Sequence, residues 1–259
     1  MQNKNFKAVP KDENVEAAYQ NYTMFKQEVD KWRQERGAHW LGQLDFAEQA
    51  PYLPVQDLPV EAITELWQRL NALVEVKASD AELKSIWEQF SQTPEGLDML
   101  DEAAAARLIM AVRGVAGLAG RMAKDMKVPE NEGISAAGAS RSAVVCPVCS
   151  EVTELAILAP PNGKRIMHCT TCGFEWPVYR VGCVHCGNGD AKQHIFLKNE
   201  NYPGIDMAVC KVCGQSFKEI DAREVAAKDY VWEDIRTLPL NYAAEQWMSE
   251  QARENDRLN

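Results

Sequence analysis

Four Cys-x-x-Cys pairs constrain the fold of this chain more than any other feature of its sequence. The pairs are Cys146/Cys149, Cys169/Cys172, Cys183/Cys186 and Cys210/Cys213, and they contain all eight cysteines of the 259 residues. Such a pair is typical of a knuckle turn, which supplies two of the four thiolates around a metal ion. The sequence therefore predicts that the region after residue 145 folds around metal sites.

The spacing groups the four pairs two by two. Nineteen residues separate Cys149 from Cys169 and 23 separate Cys186 from Cys210, whereas only ten lie between Cys172 and Cys183. A gap of about twenty residues suits a β-hairpin that joins two knuckles, and the short gap suits passage to the next ribbon. We therefore predict two tandem four-cysteine sites, each holding one tetrahedral ion at about 2.3 Å from its sulfurs.

The residue that follows each pair supports this interpretation. Gly173, Gly187 and Gly214 directly follow the second cysteine of their pairs, and Ser150 takes that place in the first. Glycine is favoured where a turn requires positive φ. These positions are therefore predicted to end four metal-binding turns whose backbone N–H groups point at sulfur.

Histidine could complete a mixed site. His168 and His185 lie beside and inside pairs, so a site with three cysteines and one histidine is an alternative. We interpret both as exposed knuckle residues, because the cysteines alone complete two sites. His39 and His194 have no partner in the pattern and are predicted to be structural.

Other thiol chemistry fits less well. No pair is followed by the histidine that haem attachment needs, and no βαβ context surrounds a thioredoxin-like pair. Disulfides are unusual in a reducing cytoplasm, while an iron–sulfur cluster remains an alternative to either ion. A four-cysteine site has no open ligand position, and the chain contains no nucleophile–base motif, Walker loop or GxGxxG. The sites are thus predicted to be structural and the protein not to be an enzyme.

The net charge of −10 argues against a general phosphate-binding role, which needs Lys and Arg in excess along one face. Residues 141–220 hold eight Lys or Arg and seven Asp or Glu, so the cysteine region is nearly neutral. A nucleic-acid-binding zinc ribbon is an alternative, because four aromatic side chains could stack on bases. We favour the interpretation that they cover the ribbon cores; they are Phe174, Trp176, Tyr179 and Phe217.

The remaining residues predict an α plus small β architecture. We expect a helical bundle over 1–127, a linker over 128–143, a double metal ribbon over 144–220 and a C-terminal helical segment over 221–259. Ser79–Glu82 reads as a capping box and Thr93-Pro94 as a further helix start. Val15, Tyr19, Tyr22, Phe25, Val29 and Trp32 share one face of the first helix. Helix is also expected from about Asp221 to Arg253.

The localisation prediction rests on two stretches. The N-terminus lacks the apolar segment of a secretion signal. The most apolar stretch, Ala103–Gly120, contains Arg107 and Arg113, which favours a buried helix over a membrane span. Its glycines, Gly114, Gly117 and Gly120, would allow close approach of another backbone, although an Ala/Gly-rich core helix is the simpler interpretation. We therefore expect a cytoplasmic protein without membrane insertion.

Five stretches of the sequence together form a recognisable pattern: Cys146-Pro-Val-Cys149, Met167-His-Cys-Thr-Thr-Cys-Gly-Phe-Glu-Trp176, Val181-Gly-Cys-Val-His-Cys186, Cys210-Lys-Val-Cys213 and Asp229-Tyr-Val-Trp-Glu-Asp-Ile-Arg-Thr-Leu238. They resemble the formate dehydrogenase accessory (formation) protein family, often called FdhE. The resemblance covers about 110 residues, from 145 to the end, whereas the helical half agrees only in position and character. Ser150 departs from the glycine usual after the first pair, and the C-terminus ends in a charged tail, 250–257.

The resemblance implies a cytoplasmic, non-catalytic maturation factor that acts like a chaperone. Such proteins contact the catalytic subunit of formate dehydrogenases and have rubredoxin-like centres that bind iron. Four thiolates accept zinc as well as iron, so the spacing alone leaves both metals open. A rubredoxin-like electron carrier or redox sensor is a further alternative if iron is present.

Overall fold

The computed structural model describes residues 13–92, 100–125 and 143–258. Helices come first: α1 (Glu13–Leu41), a short 3-10 helix (Val55–Asp57), α2 (Val60–Ala72), α3 (Asp80–Gln92) and α4 (Glu102–Asp125). The strands are β1 (Leu155–Ala159), β2 (Lys164–His168), β3 (Glu175–Pro177), β4 (His194–Lys198), β5 (Ile205–Cys210) and β6 (Ser216–Asp221), with a 3-10 helix (Ala191–Gln193) before β4. The chain ends in α5 (Tyr230–Arg236) and α6 (Leu238–Leu258). Thr93-Pro94 and nearly all of the predicted linker lie outside the described residues.

The helices form one layer with α4 at its centre, packed against α1 and α2. Ile63, Leu66 and Leu70 of α2 recur at helical spacing and are fully buried. The capping box is confirmed: the Ser79 N–H donates to Glu82 Oε2 at 2.8 Å, and the Glu82 N–H donates to Ser79 Oγ at 3.3 Å. This reciprocal pair fixes the start of α3.

Within the described part of the chain, α4 is the one helix long and apolar enough to cross a membrane. Of its most apolar window, 61% is buried inside the protein. Its Arg107 donates a hydrogen bond from Nε to Asn71 Oδ1 of α2 at 2.7 Å. The burial and this contact fit a core helix of the bundle.

The six strands form a single sheet in the order β3-β2-β1-β6-β5-β4. Each half is antiparallel, and parallel pairing of β1 with β6 joins the halves. The α plus small β class and the two ribbon-like modules are confirmed, while the shared sheet is a feature that the spacing did not predict. The register places Ile157 opposite Ile220, and both are buried in a core that also contains Leu240 and Ala244 of α6.

The C-terminal helices begin later than predicted. Asp221 is the last residue of β6, and α5 starts only at Tyr230. The physical reason is a cap, because the Asp229 carboxylate accepts hydrogen bonds from the backbone N–H groups of Val231 and Trp232 at 3.0 and 3.2 Å. Asp229 also pairs with Lys26 and accepts a hydrogen bond from the Tyr22 hydroxyl at 2.9 Å, so the same residue docks α5 on α1.

The apolar face of α1 has two partners rather than one. Val29 and Trp32 are buried in the bundle core. Towards the N-terminus, the rings of Tyr19 and Tyr22 lie 5.0 and 5.3 Å from the ring of Trp232 in α5. Val15, at the start of the same face, is 40% exposed. The predicted stripe therefore connects the bundle to the C-terminal helices.

Candidate metal centres

The first group of sulfurs comes from the two knuckles that flank the β1–β2 hairpin. Cys146, Cys149, Cys169 and Cys172 are all buried, and their sulfurs lie within 4.8 Å of one another. The Sγ atoms of Cys146 and Cys172 are 3.5 Å apart, and those of Cys149 and Cys169 are 3.4 Å apart. These four sulfurs are the ones that the spacing predicts for the first site.

The second group has the same arrangement around the β4–β5–β6 half of the sheet. Cys183, Cys186, Cys210 and Cys213 also lie within 4.8 Å of one another. Sγ–Sγ separations are 3.6 Å for Cys183 and Cys213 and 3.8 Å for Cys186 and Cys210. Cys186 and Cys213 are only partly buried, so this group is the more accessible of the two.

All four knuckles share one backbone pattern. The N–H of each first cysteine donates to the carbonyl of the residue five positions later, at 2.9 Å in every case. The residue after each pair donates back to the carbonyl of the first cysteine, at 3.0 Å for Ser150 and 2.9 Å for the three glycines. Its φ is positive throughout: 67° for Ser150, 72° for Gly173, 73° for Gly187 and 66° for Gly214. The predicted turn conformation is confirmed at all four positions.

The sulfur positions fit a tetrahedral ion. Four sulfurs at about 2.3 Å from a central metal are about 3.8 Å apart, which is near the observed separations. A disulfide requires about 2.05 Å, so none of these pairs is one. The donor set of four thiolates suits zinc or iron equally well. The two groups can therefore each hold an ion without rearrangement of the knuckles.

The close packing of the sulfurs in the first group makes their thiols electrostatically unequal. Hydrogen bonds from Cys146 and the other neighbouring thiols hold the pKa of Cys169 far below its usual value. Contacts with Cys146 and Cys169 raise the pKa of Cys149 well above the ordinary range. The geometry thus favours a thiolate at Cys169 that its neighbours stabilise, and metal binding would release the protons that remain.

His168 and His185 are largely buried, so the prediction that both are exposed knuckle residues is wrong. Only 13% and 12% of their side chains are accessible, because each ring is hydrogen-bonded between elements. His168 Nδ1 lies 2.9 Å from Glu175 Oε1, and His185 Nε2 lies 3.1 Å from the Ser216 carbonyl. Neither belongs to the four-sulfur groups. His39 contacts Gln43 at 3.0 Å, and His194 Nε2 is buried without a partner among the described residues.

The aromatic side chains that could stack on bases lie mostly inside the protein. Phe174, Trp176 and Phe217 are buried, and only Tyr179 of the four is exposed. Trp176 Nε1 also donates to the Ala143 carbonyl at 3.2 Å. This hydrogen bond connects β3 to the segment that precedes the first knuckle. Their burial favours the interpretation that they cover the ribbon cores.

Arg165 is a positioning residue that the sequence analysis did not single out. Its side chain is buried, and it donates to Glu219 Oε2 at 2.9 Å and to the carbonyls of Tyr179 and Gly182 at 3.1 and 2.8 Å. It therefore links the two halves of the sheet to the entry of the third knuckle. The only signal in the sequence is an arginine at an inward-facing position of an otherwise alternating strand.

The first centre is held against the helical bundle. The N–H groups of Tyr52, Leu53 and Val55 donate to carbonyls of the first knuckle at 2.8 to 3.1 Å. Gly120 of α4 lies so close to the Cys172 carbonyl that an added Cβ would fall below 3.0 Å from it. The close backbone approach that the glycine spacing would allow therefore occurs at Gly120, directly beside a predicted ligand.

Comparisons with known proteins agree with this architecture. No family model matches the chain. An FdhE homologue from Enterobacter sp. is 31% identical over 103 residues, and one from Proteus mirabilis is 30% identical over the same length. FdhE from Escherichia coli is 29% identical over 103 residues. Each match covers 39% of this chain and 33% of the relative, so the chain covers about a third of the length of these curated relatives.

The fold is also similar to that of a solved structure. The crystal structure of the FdhE protein from Pseudomonas aeruginosa superposes with a TM-score of 0.52, over 85% of this chain and 75% of that one. Sequence identity in this superposition is 17%, so it establishes a shared fold. Together the comparisons confirm the resemblance to an FdhE-like family that the cysteine motifs predicted.

Proposed function

We propose that this chain is a non-catalytic cytoplasmic accessory protein for the maturation of a formate dehydrogenase, and that it binds the catalytic subunit of that enzyme. The observation that carries the proposal is the pair of four-sulfur groups within an FdhE-like fold. Two metal ions, iron or zinc, are assigned to the eight cysteines of these groups. The active protein is thus a metal-stabilised scaffold for another protein.

The chemistry of the donor set supports a structural role. Four cysteine ligands leave no open position for water or substrate. A bound ion would instead supply folding free energy, because each knuckle on its own has little core. The first ion would fasten the knuckles that contact α4, and the second would fasten the knuckles at the far side of the sheet.

The second ribbon offers the better surface for a client. Val181 and Val212 are 64% and 56% exposed; Val181 lies two residues before Cys183, Val212 directly precedes Cys213, and the sulfurs of these two cysteines are 3.6 Å apart. Contiguous exposed apolar surface marks protein–protein contact sites, and the knuckles that carry these two valines are brought together by the second sulfur group. We assign the client contact to this tip of the second ribbon.

Co-purification with a formate dehydrogenase catalytic subunit tests the proposal. Tagged wild-type protein is expected to recover the subunit, and Cys183→Ala/Cys186→Ala is expected to lose it because the second ribbon loses its ion. Val181→Ser/Val212→Ser should also reduce recovery while both metals stay bound. Val15→Ser/Val76→Ser is the matched control, since the two valines are 40% and 42% exposed and lie in α1 and in the α2–α3 connection, away from the second ribbon in sequence. Equal recovery by all variants would contradict the assignment of the surface, and failure of the wild type would contradict the function.

A redox protein is the second candidate, and the partial exposure of Cys186 and Cys213 favours it. An iron centre near the surface suits one-electron exchange, as in rubredoxins. This candidate predicts a visible absorption band in the oxidised protein that bleaches with dithionite. A colourless protein with stoichiometric zinc would eliminate it and leave the scaffold role.

A further inference from the structure

A cavity of about 330 Å³ adjoins the first centre, between α1, α4, the second knuckle and the start of α5. Its lining is strongly cationic although the chain as a whole carries a net charge of −10. Only one carboxylate, that of Asp229, lies among the lining residues. The cationic residues are Lys26, Arg33, Arg113, Arg121, Lys124 and Lys228.

Contacts within the protein use only part of this charge. Lys26 pairs with Asp229, and Arg33 pairs with Asp30 at 3.5 Å and donates to the carbonyls of Arg113 and Gly114 at 2.8 and 3.0 Å. Arg113, Arg121 and Lys228 have neither a side-chain hydrogen bond nor an ion pair with any residue that the structure describes. Arg113, Arg121 and Lys228 thus line the cavity without a direct ion pair to a described residue, and the charges of Asp229 and Asp234 act on Arg113 only at longer range.

Burial differs among the cations of the cavity: Arg33 and Arg113 are partly buried, whereas Arg121 and Lys228 are exposed. Desolvation lowers the pKa of Arg113, and desolvation together with the charge of Arg121 lowers the pKa of Arg33 to about 10. A partly buried cation gains from a nearby anion, so an anion in contact with Arg113 would offset part of the desolvation of that side chain.

The first metal centre does not account for the charge. Four thiolates around zinc carry about −2, and around ferric iron about −1. Six cations line the cavity, and Asp229 and the Arg33 partner Asp30 offset two of them, so an excess of four positive charges remains, more than the centre offsets. The cations also converge on the cavity from three elements rather than on the sulfurs alone.

Hydrogen-bond donors in the cavity match phosphate oxygens. Arginine binds phosphate through two parallel N–H···O bonds, and three arginines line this cavity. Thr170 and Thr171 of the second knuckle add hydroxyl groups that have no hydrogen-bond partner among the described residues. The cavity volume of about 330 Å³ is within the range of small-molecule sites, about 300–1,000 Å³.

We propose that this cavity binds a small molecule that carries one or more phosphate groups, held by Arg113, Arg121 and Lys228 beside the first metal centre. The site is independent of the client contact on the second ribbon. It also explains how a chain with excess negative charge can bind phosphate: the cations are gathered in one cavity rather than spread along a face.

Calorimetric titration of the metal-loaded full chain with inorganic pyrophosphate tests the site. Arg121→Gln/Lys228→Gln removes two exposed cations of the cavity, so the fold should be retained. Lys164→Gln/Lys192→Gln is the matched control, because it changes the net charge equally at exposed positions outside the cavity. We expect pyrophosphate to bind the wild type and the control within twofold of each other, and the cavity variant at least tenfold more weakly.

Three outcomes would overturn the proposal. The first is no heat of binding with the wild type, and the second is equal affinity in the cavity variant and the control. The third is tighter binding of a hexa-aspartate peptide than of pyrophosphate, which would make the cavity a site for an acidic protein segment. Client recovery in the co-purification experiment is measured separately, so failure here leaves the accessory function untouched.

Discussion

Ser150 shows how much a single residue contributes to a knuckle. It adopts φ of 67° where the three equivalent positions have glycine. The left-handed conformation costs a non-glycine residue about 1–2 kcal/mol. Glycine avoids this steric cost but loses more backbone entropy on folding, so the net gain from glycine is smaller. The first knuckle is therefore slightly strained in comparison with the other three.

We predict that Ser150→Gly raises the free energy of unfolding by about 0.5–1 kcal/mol. The reverse change, Gly214→Ser, should lower it by about 1 kcal/mol, since φ is 66° there and the added Cβ meets nothing within 4 Å. Denaturant unfolding of metal-loaded protein measures both. Destabilisation by Ser150→Gly would show that the serine side chain, not the backbone conformation, matters at this position.

Arg165 provides a second test at this scale, because it is buried and holds Glu219, Tyr179 and Gly182 together. Arg165→Met leaves the Glu219 carboxylate buried without its partner, which typically costs about 3–5 kcal/mol. Burial already raises the pKa of Glu219, so the unpaired group will be protonated more readily. We expect a loss of about 3 kcal/mol in unfolding free energy and weaker metal retention in the second centre.

The double variant Arg165→Met/Glu219→Gln is the control for that prediction. It removes the unpaired charge, so it should recover part of the lost stability. Unfolding curves of the two variants give the comparison. If Arg165→Met unfolds like the wild type, the arginine does not connect the two ribbons energetically.

The candidate metal ligands and the turn residues beside them were the easiest part of the site to predict from the sequence. The cysteine spacing predicts both four-sulfur groups, and Gly173, Gly187 and Gly214 predict the turn conformation, because these signals are local in sequence. The burial of His168 and His185 was missed, since it depends on Glu175 and Ser216 reaching them in the fold. The cationic cavity was missed for the same reason, because its residues come from α1, α4, the second knuckle and the segment before α5, which only the fold brings together.

At the scale of elements, α4 and the second knuckle are joined at Gly120. Alanine is favoured over glycine in a helix by about 1 kcal/mol, so propensity alone predicts that Gly120→Ala stabilises. The structure predicts the opposite sign, because the new Cβ would lie closer than 3.0 Å to the Cys172 carbonyl, a backbone atom. Overpacking of this kind costs about 1–3 kcal/mol.

We therefore expect Gly120→Ala to lower the melting temperature and to weaken metal retention in the first centre. Gly189→Ala is the matched control, since a Cβ there meets nothing within 4 Å and φ is not positive. Differential scanning calorimetry distinguishes the two. A rise in melting temperature for Gly120→Ala would mean that α4 and the second knuckle are not in close contact at Gly120.

Element pairing was harder to predict than element type. The helices of the bundle follow from their periodicity, and the capping box at Ser79 gives the start of α3. The parallel contact of β1 with β6 connects residues about 60 positions apart, which no local pattern encodes. The helical start near Asp221 was wrong because β6 continues through that residue and the Asp229 cap begins α5.

For the whole molecule, the two centres differ in accessibility. The first is enclosed by the helical bundle and all four of its cysteines are buried, whereas Cys186 and Cys213 of the second are partly exposed. A chelator should therefore remove metal in two phases, with the second centre losing its ion first. Release into a chromogenic chelator measures the phases, and Cys186→Ser should abolish the fast one. A single phase, or loss of the slow phase in Cys186→Ser, would contradict this order.

Metal content measured by mass spectrometry on anaerobically purified protein tests the central claim most directly. The account predicts two ions per chain in the wild type, one in Cys149→Ala/Cys172→Ala and one in Cys183→Ala/Cys186→Ala. Hydrogen exchange should increase only in the knuckles that lose their ion. A wild-type chain without metal whose ribbons remain protected from exchange would contradict the account.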